Sequence, residues 1–570
     1  MIAPFVAPQW VPHPAANPDR ARQLGRDMGL PLPAAQVLVN RGVLDSSSAQ
    51  RFLDPSVDDL HDPHLLLGID HAVERIRRAI VFAEPTLIYG DYDVDGITST
   101  YLLHRALADL GARVAYHIPH RTRDGYGLSV GAVERAHARG IRLIVTVDCG
   151  ITSVEPVRRA NELGVDVVIT DHHEPGPVRP AAWAIINPHQ DGCGYPFKSL
   201  AGVGVTFKLV EALLHGYGGR ARAVEFLDIV AIGTIADVVP LVGENRVLAR
   251  AGLERLNPTS RLGLRALIDV VGLSGRSITS GHVAFVLAPR INAAGRMGNA
   301  EQGLRLLLAR DADEARACAE SLEEDNQRRR ETDEIVLAEA AKRVESELGW
   351  PDCASILLWS ETWHPGVIGI VASRLVERFQ RPTVLVALQG ERGRGSGRSL
   401  PGLDLNQLLT GCSDLLEAHG GHAVAAGLTV RRDQLPELRE RLERGVLAKL
   451  TPEQRVPRLP IDAEVHLGEC DMGLVGWLER MSPHGLENPE AVFAARDVVL
   501  DSVSAVGGGK HLKLRLRDAT GSMDAIAFGH GDRIAQLRPG AIADFAFVPS
   551  RNEWRGDQRV QLRVRDLRGR

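Results

Sequence analysis

The sequence has few cysteines and no long apolar run. Its six cysteines are scattered, and no two form a Cys-x-x-Cys pair, which argues against a disulfide framework or a structural zinc site and favours a reducing cytoplasm. No stretch approaches the about 18 uninterrupted apolar residues that a membrane-spanning helix needs, so we expect no membrane span. The N-terminus lacks a basic region followed by an apolar core, so we also expect no secretory signal.

An excess of one charge is also missing, because the formal net charge is only -5 at pH 7. The charge is uneven, however: residues 501–570 hold 13 Lys and Arg against 8 Asp and Glu. A locally basic module is a typical place for a polyanion to bind. Within it, "KHLKLRLRD" (Lys510–Asp518) alternates basic and apolar residues. This predicts a half-buried strand of a small β-barrel that holds single-stranded nucleic acid, although a plain solvated strand face explains the alternation equally well.

Short apolar runs rich in Val and Ile alternate with helical stretches from Thr86 to about Leu241. The runs are "TLIYG", "RVAYHIP", "IRLIVTVDCG", "VDVVITDHH" and "AAWAIINP". This alternation predicts an α/β fold with a buried parallel sheet. A second α/β unit is expected from about Cys353 to Leu450, with "ASILLW" and "PTVLVAL" as strands and "GVIGIVASRLVERF" as the helix between them.

A chain of 570 residues is too long for one core, so we predict several domains. Residues 304–348 contain neither Gly nor Pro and keep a helical spacing of apolar residues, which indicates one long helix or two. The predicted segments are an N-terminal helical segment (1–80), an α/β domain (81–300), a helical connector (301–349), a second α/β domain (350–455) and a C-terminal β-barrel (460–570).

Carboxylates and histidines follow the apolar runs of the first α/β domain. We expect four motifs that carry them to lie at strand ends, where ligands bind in parallel sheets. The candidate residues are Asp91, Asp93, Asp95, Asp148, Asp171, His172, His173 and Asp237. Several carboxylates with imidazole suit Mn²⁺ or Mg²⁺ better than zinc. Each motif has a simpler reading on its own, because a lone Asp-x-Asp is usually a surface turn and a lone Asp after a strand often caps a helix.

The stretch "YGDYDVDG" (Tyr89–Gly96) places three carboxylates within five residues. Their mutual repulsion is offset if they surround divalent cations. We expect Gly96 to free the backbone there and "ITSTYLLHRAL" to begin a helix whose N-terminus favours a phosphate beside the metals. Two metal ions about 3.5–4 Å apart can activate water for phosphoryl displacement, so the predicted chemistry is phosphodiester or phosphoanhydride hydrolysis.

The ordered motifs "GDYDVDG", "VTVDCG", "TDHHEP" and "IADVVP" resemble those of the DHH phosphoesterase superfamily. "GSGRS" (Gly395–Ser399) and "GGHAVAAG" (Gly420–Gly427) resemble its companion domain, DHHA1. "RTRDGYGLS" (Arg121–Ser129) and "RINAAGRMG" (Arg290–Gly298) narrow the resemblance to the bacterial single-stranded-DNA-specific 5′→3′ exonucleases. The resemblance covers about residues 40–570 and implies a DHH domain and a DHHA1 domain joined by a long helical connector, followed by an OB-fold.

The resemblance also implies roles for the matching residues. The main metal ligands would be Asp93, Asp95, Asp148, His172 and Asp237, with Asp148 bridging both ions. Asp91 would be a further ligand or a neighbour of one, Asp171 would orient a histidine, and His173 would contact the scissile phosphate. The implied DNA and phosphate contacts are Arg121, Arg290, Asn292, Arg296, Ser396, Arg398, Gly420, Gly421 and His422. Two alternatives stay open: Arg290 and Arg296 as structural salt bridges, and "GGHAVAAG" as a tight start to a helix.

The activity implied is hydrolysis of single-stranded DNA from a 5′ end, with two Mn²⁺ or Mg²⁺ ions and release of 5′-mononucleotides, in DNA recombination and repair. The implied partners are a RecQ-type helicase and the single-stranded-DNA-binding protein. One rival is a superfamily phosphodiesterase for oligoribonucleotides, cyclic dinucleotides or pyrophosphate, which the linker and basic barrel argue against. The other rival is a non-catalytic DNA-binding scaffold, which the complete ligand set argues against.

Overall fold

The computed structural model describes residues 7–121, 125–554 and 557–569. The predicted motif at 121–129 therefore lies partly outside the described residues, although Arg121 is among them. The chain divides into two compact units: a larger one, Pro12–Glu323 with Pro460–Arg570, and a smaller one, Glu324–Leu459 with the described residues up to Val11. In the part of the chain that the structure describes, no helix has the length and apolar character needed to cross a bilayer.

The larger unit contains the predicted parallel sheet. Its five strands are all parallel, in the order Val114–His117, Thr86–Tyr89, Leu143–Val147, Asp166–Thr170 and Ala184–Ile186. The predicted fold class is thus confirmed for this domain. The first strand in sequence, Thr86–Tyr89, lies between the second and the third, so the strand order reverses around it. Such a reversal leaves a crevice at the carboxyl ends of the strands, where ligands bind.

Helices cover the sheet and extend this unit. Those of the sheet domain are Ile69–Val81, Val94–Asp109, Val130–Ala138, Val154–Glu162, Gly202–Leu213, Gly219–Ala223, Leu227–Ala236 and Gly243–Leu256. They are followed by Leu262–Val270, Ser280–His282, a π-helical turn at Val283–Leu287, Ala288–Met297 and Glu301–Leu308. Helix Leu227–Ala236 is buried along nearly its whole length, which explains why its sequence is apolar on all sides.

The structure divides the predicted N-terminal segment between two hydrophobic cores. Helices Pro18–Met28, Leu32–Asn40 and Ser46–Leu53 share a core with the C-terminal barrel and with helix Met472–Arg480. Helix Ile69–Val81 instead places its apolar face in the core of the parallel sheet. The segment therefore packs as parts of two domains, because each amphipathic helix needs an apolar surface to cover.

The C-terminal region forms a closed five-stranded barrel, as predicted. Lys510–Asp518 contains a strand with buried leucines and exposed cations in alternation, as its sequence pattern predicts. The strands follow one another around the barrel in the order Phe493–Val506, His511–Arg517, Ser522–Ala527, Asp557–Gly569 and Ile542–Trp554, and the last pairs with the first; the short strand Ala463–Glu464 extends the sheet beside Phe493–Val506.

Arg246 ties the barrel region to the sheet domain. Its guanidinium donates hydrogen bonds to four backbone carbonyls, those of Phe52, Arg480, Met481 and Ser482, at 2.8–3.2 Å. Burial lowers the pKa of Arg246 to about 9. Because the carbonyls come from both the N-terminal helices and the residues before the barrel, one side chain joins three parts of this unit.

The predicted connector contains one long helix, Ala312–Glu347, of 36 residues. This helix does not span the whole Gly- and Pro-free stretch 304–348, because the preceding helix, Glu301–Leu308, ends within that stretch. The Asp311 carboxylate then accepts a hydrogen bond from the backbone N–H of Glu314 and begins the new helix. The stretch therefore contains parts of two helices, one of the two alternatives.

The smaller unit has its own five-stranded sheet. The strand order is Leu416–Gly421, Ala425–Arg431, Arg392–Arg398, Thr383–Gln389 and Ile356–Ser360, and only the last pair is parallel. Its helices are Ile368–Phe379, Leu405–Thr410 and Leu435–Lys449. The two predicted strands and the helix between them are confirmed. Strands Gln9–Pro12 and Arg458–Ile461 pair in a separate two-stranded sheet.

Candidate active site

Three of the four predicted motifs lie at carboxyl ends of neighbouring parallel strands. Asp91 follows Thr86–Tyr89, Asp148 follows Leu143–Val147, and Asp171 follows Asp166–Thr170. The expectation that the fourth motif also lies at a strand end is wrong, because Asp237 caps the C-terminus of helix Leu227–Ala236. A short apolar run does not by itself distinguish a buried strand from a buried helix.

The first motif is itself the start of a helix. Asp93 caps helix Val94–Asp109, since its Oδ1 accepts hydrogen bonds from the backbone N–H groups of Asp95 and Gly96 at 3.0 and 3.1 Å. The helix therefore begins earlier than predicted. Gly96 does not loosen the backbone as expected, because it lies in the first turn. A Cβ there would lie 2.6 Å from the backbone N and O of Asp91, so the site requires glycine for close approach.

Both oxygens of the Asp95 carboxylate are fixed by a second helix. Oδ2 accepts a hydrogen bond from the N–H of Gly202 and Oδ1 from the N–H of Val203, both at 2.7 Å. These amides are the first two of helix Gly202–Leu213. Asp95 is buried, so its orientation is set by backbone rather than by solvent.

Asp148 lies in a strained backbone conformation. Its φ of 61° is in the left-handed region, which residues other than glycine seldom adopt. The side chain is buried, and Oδ1 lies 3.3 Å from His172 Nε2. His172 Nε2 is also 3.6 Å from Oδ2 of Asp237. Strain of this kind persists where the surroundings impose it, often at functional sites.

Asp171 contacts both histidines that follow it in the sequence. Its Oδ1 accepts hydrogen bonds from the backbone N–H groups of His172 and His173, and lies 2.7 Å from the Nδ1 of His173. Its Oδ2 accepts from the N–H of Ile151 at 2.9 Å. Asp171 therefore contacts both the imidazole of His173 and the backbone that carries His172, where it could perform the predicted orienting task.

The carboxylates of the site are poorly stabilised as anions by the protein alone. Burial raises the pKa of Asp148 and Asp237 well above the usual range, with Asp95 adding repulsion to both. Burial, followed by the charge of Asp93, raises the pKa of Asp95 to about 7 and that of Asp91 strongly. Bound cations would reverse these shifts, because an opposite charge favours the ionised form.

The histidines differ in their protonation. Burial, and then the neighbouring His173, lowers the pKa of His172 to about 4, so its imidazole is neutral at pH 7 and has a lone pair for a metal. Burial also disfavours charge on His173, but the hydrogen bond and charge of Asp171, together with the charges of Asp93 and Asp95, raise the pKa of His173. The adjacent rings thus suit different tasks.

Three overlapping groups of side chains could each hold a metal ion. In each group the ligand atoms lie within 4.8 Å of one another. The groups are Asp148 with His172 and His173, Asp95 with His172 and Asp237, and Asp91 with Asp93 and Asp148. Three buried atoms of these residues, Asp91 Oδ1, Asp148 Oδ1 and His172 Nε2, have no hydrogen-bond partner. Such unsatisfied atoms at convergent ligands fit a site for divalent ions.

An open cavity of about 270 Å³ lies over this cluster. It is lined by Asp91, Tyr92, Asp93, Val94, Asp95, Arg121, Tyr126, His173, Ala236, Asp237, Asn292 and Arg296. The guanidinium of Arg121 lies 4.8 Å from the centre of the Tyr92 ring. Acidic ligands and two arginines therefore share one cavity, an arrangement that suits a phosphate bound next to metal ions.

Sequence reasoning missed two tyrosines of this cavity. The Tyr126 hydroxyl lies 3.0 Å from Nδ1 and 3.2 Å from Nε2 of His173, and the two rings meet edge to face. It also contacts the carbonyl oxygen of Asp148 at 3.4 Å. Tyr92 and Tyr126 both lie inside recognised motifs, so the available signal was an aromatic residue among acidic and basic ones.

The predicted DNA contacts in the segment 290–298 are of two kinds. Arg290 pairs with the Glu323 carboxylate and donates to the carbonyl of Val286, so its donors are engaged within the protein. Asn292 Oδ1 accepts a hydrogen bond from the N–H of Val94 and so braces the first motif. Arg296 lines the cavity. The structural alternative considered for Arg290 agrees with its contacts, whereas Arg296 stays a candidate for DNA.

The remaining candidates lie in the smaller unit, on neighbouring strands of its sheet. Ser396 is paired with Gly427, which in turn is paired with Gly420. These three small residues form a row across three strands, called here the open row. Arg398 donates to Ser396 Oγ and to the carbonyl of Gly397. Gly421 has a φ of 139°, and the exposed His422 donates its N–H to the carbonyl of Ala425. "GGHAVAAG" is therefore a strand connection and not the start of a helix.

The N-terminus of helix Ile368–Phe379 meets this row. A Cβ on Gly369 would lie 2.8 Å from Ser396 Oγ and 3.2 Å from a terminal nitrogen of Arg398. A hydroxyl, a guanidinium and the positive end of a helix lie together here, which is the donor set of an anion site. Neither "GSGRS" nor "GGHAVAAG" includes this helix.

Comparison with known proteins gives matches along most of the chain. Residues 85–234 match the model of the DHH family N-terminal domain, residues 353–446 that of the DHHA1 domain, and residues 461–566 that of the RecJ OB domain. The single-stranded-DNA-specific exonuclease RecJ of Bacillus subtilis is 39% identical over 551 residues, which cover 96% of this chain and 69% of that protein.

Solved structures agree with these matches. RecJ from Thermus thermophilus in complex with Mn²⁺ has a TM-score of 0.85 and 33% identity, covering 99% of this chain and 80% of that one. Its complex with Mg²⁺ has a TM-score of 0.80 and 31% identity, covering 99% and 79%. Together with the motif order and the geometry above, these similarities show that the chain belongs to the RecJ family of single-stranded-DNA-specific exonucleases.

Proposed function

We propose that this protein hydrolyses single-stranded DNA from its 5′ end with two divalent ions, Mn²⁺ or Mg²⁺, and releases 5′-mononucleotides. The observation that carries the proposal is the overlap of the three ligand groups, in which Asp148 belongs to two and His172 to two. Overlapping groups of oxygen and imidazole ligands suit a pair of neighbouring ions. Asp148, which belongs to two of the groups, would serve as a ligand to both ions.

Asp91, Asp93, Asp95, Asp148, His172 and Asp237 are the proposed metal ligands. When bound, the ions supply Lewis-acid activation of water and neutralise charge on the phosphate. The protein holds these ligands in place. Asp93 caps a helix, both oxygens of Asp95 accept backbone hydrogen bonds, and Asp148 is kept in a left-handed backbone conformation.

His173 is the proposed contact to the scissile phosphate. Its Nδ1 is engaged by Asp171, and the same contact raises its pKa, which favours the charged imidazolium. A cationic donor held at the wall of the cavity stabilises the extra negative charge of the phosphorane-like transition state. The Tyr126 hydroxyl also contacts this ring, at 3.0 Å from Nδ1 and 3.2 Å from Nε2.

The cationic groups provide the binding surface for the DNA backbone. Arg121 and Arg296 line the catalytic cavity and are assigned to phosphates there. In the smaller unit, Ser396 and Arg398, with Gly420, Gly421 and His422 along the open row, are assigned to the 5′-phosphate. The exposed cation Lys513 of the barrel suits contacts further along the strand, whereas its neighbour Arg515 pairs with Asp524 at 2.8 Å.

The predicted domains 81–300, 301–349, 350–455 and 460–570 are part of this proposal, as are the helicase and single-stranded-DNA-binding partners. We place the protein in the cytoplasm, where bacterial DNA is repaired. Its six cysteines are all unpaired, which suits a reducing compartment.

The test of the function is the polarity of degradation. With Mn²⁺, a long single strand labelled at its 5′ end should lose its label at once as a mononucleotide. The same strand labelled at its 3′ end should shorten progressively. The matching blunt duplex should resist, because no free single strand reaches the site.

A cyclic dinucleotide and a short oligoribonucleotide serve as competing substrates in the same assay. Initial loss of a 3′ label, internal cuts, or faster hydrolysis of the cyclic dinucleotide would each contradict the proposal. Binding of the strand without any Mn²⁺-dependent cleavage would favour the scaffold alternative.

A further inference from the structure

The start of helix Gly202–Leu213 touches two of the proposed metal ligands at once. The backbone N–H groups of Gly202 and Val203 each donate to one oxygen of Asp95, at 2.7 Å. The same Gly202 faces the side chain of Asp148 from the other side. A Cβ on Gly202 would lie 2.4 Å from Asp148 Oδ1 and 2.8 Å from its Cβ and Cγ.

Space, and not backbone conformation, makes position 202 special. Gly202 is not among the glycines with a positive φ, so its backbone would accept alanine. An alanine at this position would clash with Asp148. Its Cβ would lie under 3.0 Å from three atoms of that short side chain, so either the side chain or the helix would have to move.

Either movement would change the metal site. If Asp148 turned away, it would leave the position from which Oδ1 meets His172 Nε2 at 3.3 Å. If the helix withdrew, the two amide hydrogen bonds that fix Asp95 would lengthen. The contacts thus link the positions of two ligands that come from different parts of the chain.

We infer that Gly202 and the paired amides of Gly202 and Val203 are positioning groups, which hold Asp95 and Asp148 at the separation that a two-ion site requires. The stretch "LAGVGVTFKL" (Leu200–Leu209) that carries them lies outside the catalytic motifs. The inference rests on the proposed metal site and adds to it a part of the protein that binds no metal itself.

Gly202→Ala tests the inference, with Mn²⁺ binding as the readout. Calorimetric titration of the full-length protein without DNA should show a loss of Mn²⁺ affinity of about 10- to 100-fold, the range for changes behind metal ligands. Gly204→Ala, two residues along the same helix, is the matched control. The three atoms nearest to its Cβ would belong to the side chains of Leu200 and Leu248, at 3.2 Å or more, so Mn²⁺ affinity should not change.

The outcomes separate the inference from the proposed site. Wild-type protein that binds Mn²⁺ while Gly202→Ala binds it equally well would overturn the inference alone. Wild-type protein that binds no Mn²⁺ would overturn the proposed site as well. Loss of affinity in Gly202→Ala, with Gly204→Ala unchanged and both variants cooperatively folded, would support the inference.

Hydrogen exchange covers the case in which Gly202→Ala does not fold. In metal-free wild-type protein the amides of Gly202 and Val203 should be protected by Asp95. In Asp95→Ala they should exchange about tenfold faster or more, as expected on loss of a bond to a charged acceptor, while the later turns of the helix keep their rates. Unchanged exchange at the helix start would overturn the inference.

Discussion

Replacing Asp148 with asparagine is expected to lower hydrolysis of single-stranded DNA by about 10³-fold or more, the upper range for removing one preorganised electrostatic group from an active site. Asp148 belongs to two of the three ligand groups, and its Oδ1 has no hydrogen-bond partner within the protein. Asparagine removes the charge but keeps the shape. It also tolerates the left-handed backbone, which alanine would not, so the fold should be preserved.

Single-turnover cleavage of a 5′-phosphorylated oligonucleotide in Mn²⁺ measures this effect, and fluorescence anisotropy without metal measures DNA binding. Binding should change by no more than about twofold, because Asp148 is buried, with only 2% of its surface exposed. Asp497→Asn is the matched control: Asp497 also has a left-handed φ, 53°, but lies on the barrel. Asp148→Asn cleaving at a tenth of the wild-type rate or faster would contradict the assignment.

The adjacent histidines should separate into two functions when each is replaced. His172→Asn should lose Mn²⁺ affinity, because the neutral imidazole with an unsatisfied Nε2 is the proposed ligand. His173→Asn should keep Mn²⁺ affinity but lose about 10²- to 10³-fold in the rate of cleavage, the usual range for removing one preorganised donor to developing charge. Its Nδ1 is already engaged by Asp171.

Calorimetry with Mn²⁺ and single-turnover cleavage at saturating metal distinguish the two effects. For His172→Asn, part of the activity should return as Mn²⁺ is raised, whereas no metal concentration should restore His173→Asn. The two side chains are neighbours, with ring centres 4.4 Å apart, so each variant serves as the control for the other. If His173→Asn lost metal and His172→Asn kept it, the two roles would be reversed.

The strand-based part of the site was predictable from sequence. Asp91, Asp148 and Asp171 each end a β-branched apolar run, and the carboxyl ends of neighbouring parallel strands meet at one edge of a sheet. Local periodicity was enough to place them together. The alternating strand at Lys510–Asp518 was predictable for the same reason, because a period of two separates its buried and exposed faces.

Tertiary contacts decided the rest. The position of Asp237 depends on a buried helix, and an apolar run of that length carries no periodic signal for one. The hydrogen bonds from Gly202 and Val203 to Asp95 join residues more than a hundred positions apart. Sequence motifs name the residues that perform chemistry, but they do not reveal the amides that hold those residues in place.

Arginines illustrate the same limit. Arg121, Arg290 and Arg296 are equivalent as sequence candidates for phosphate contacts. In the structure Arg290 is engaged by Glu323, while Arg121 and Arg296 line the cavity. Whether a cation faces a ligand or an internal carboxylate depends on which side chain folds against it, and that partner lies outside the motif.

The arrangement also bears on the two rival functions. A degenerate scaffold would have no reason to retain strain at Asp148 or unsatisfied atoms on Asp91 and His172, because both cost stability. A phosphodiesterase for small cyclic substrates would not need a basic barrel joined to the catalytic domain through Arg246. The family membership and the site geometry agree on an exonuclease for single-stranded DNA.

Anomalous diffraction from crystals soaked in Mn²⁺ tests the central claim most directly. The account predicts two strong manganese peaks about 3.5–4 Å apart, with an oxygen of Asp148 between them and His172 Nε2 coordinated to one. The absence of an anomalous peak among these side chains, or a single peak elsewhere in the protein, would contradict the account.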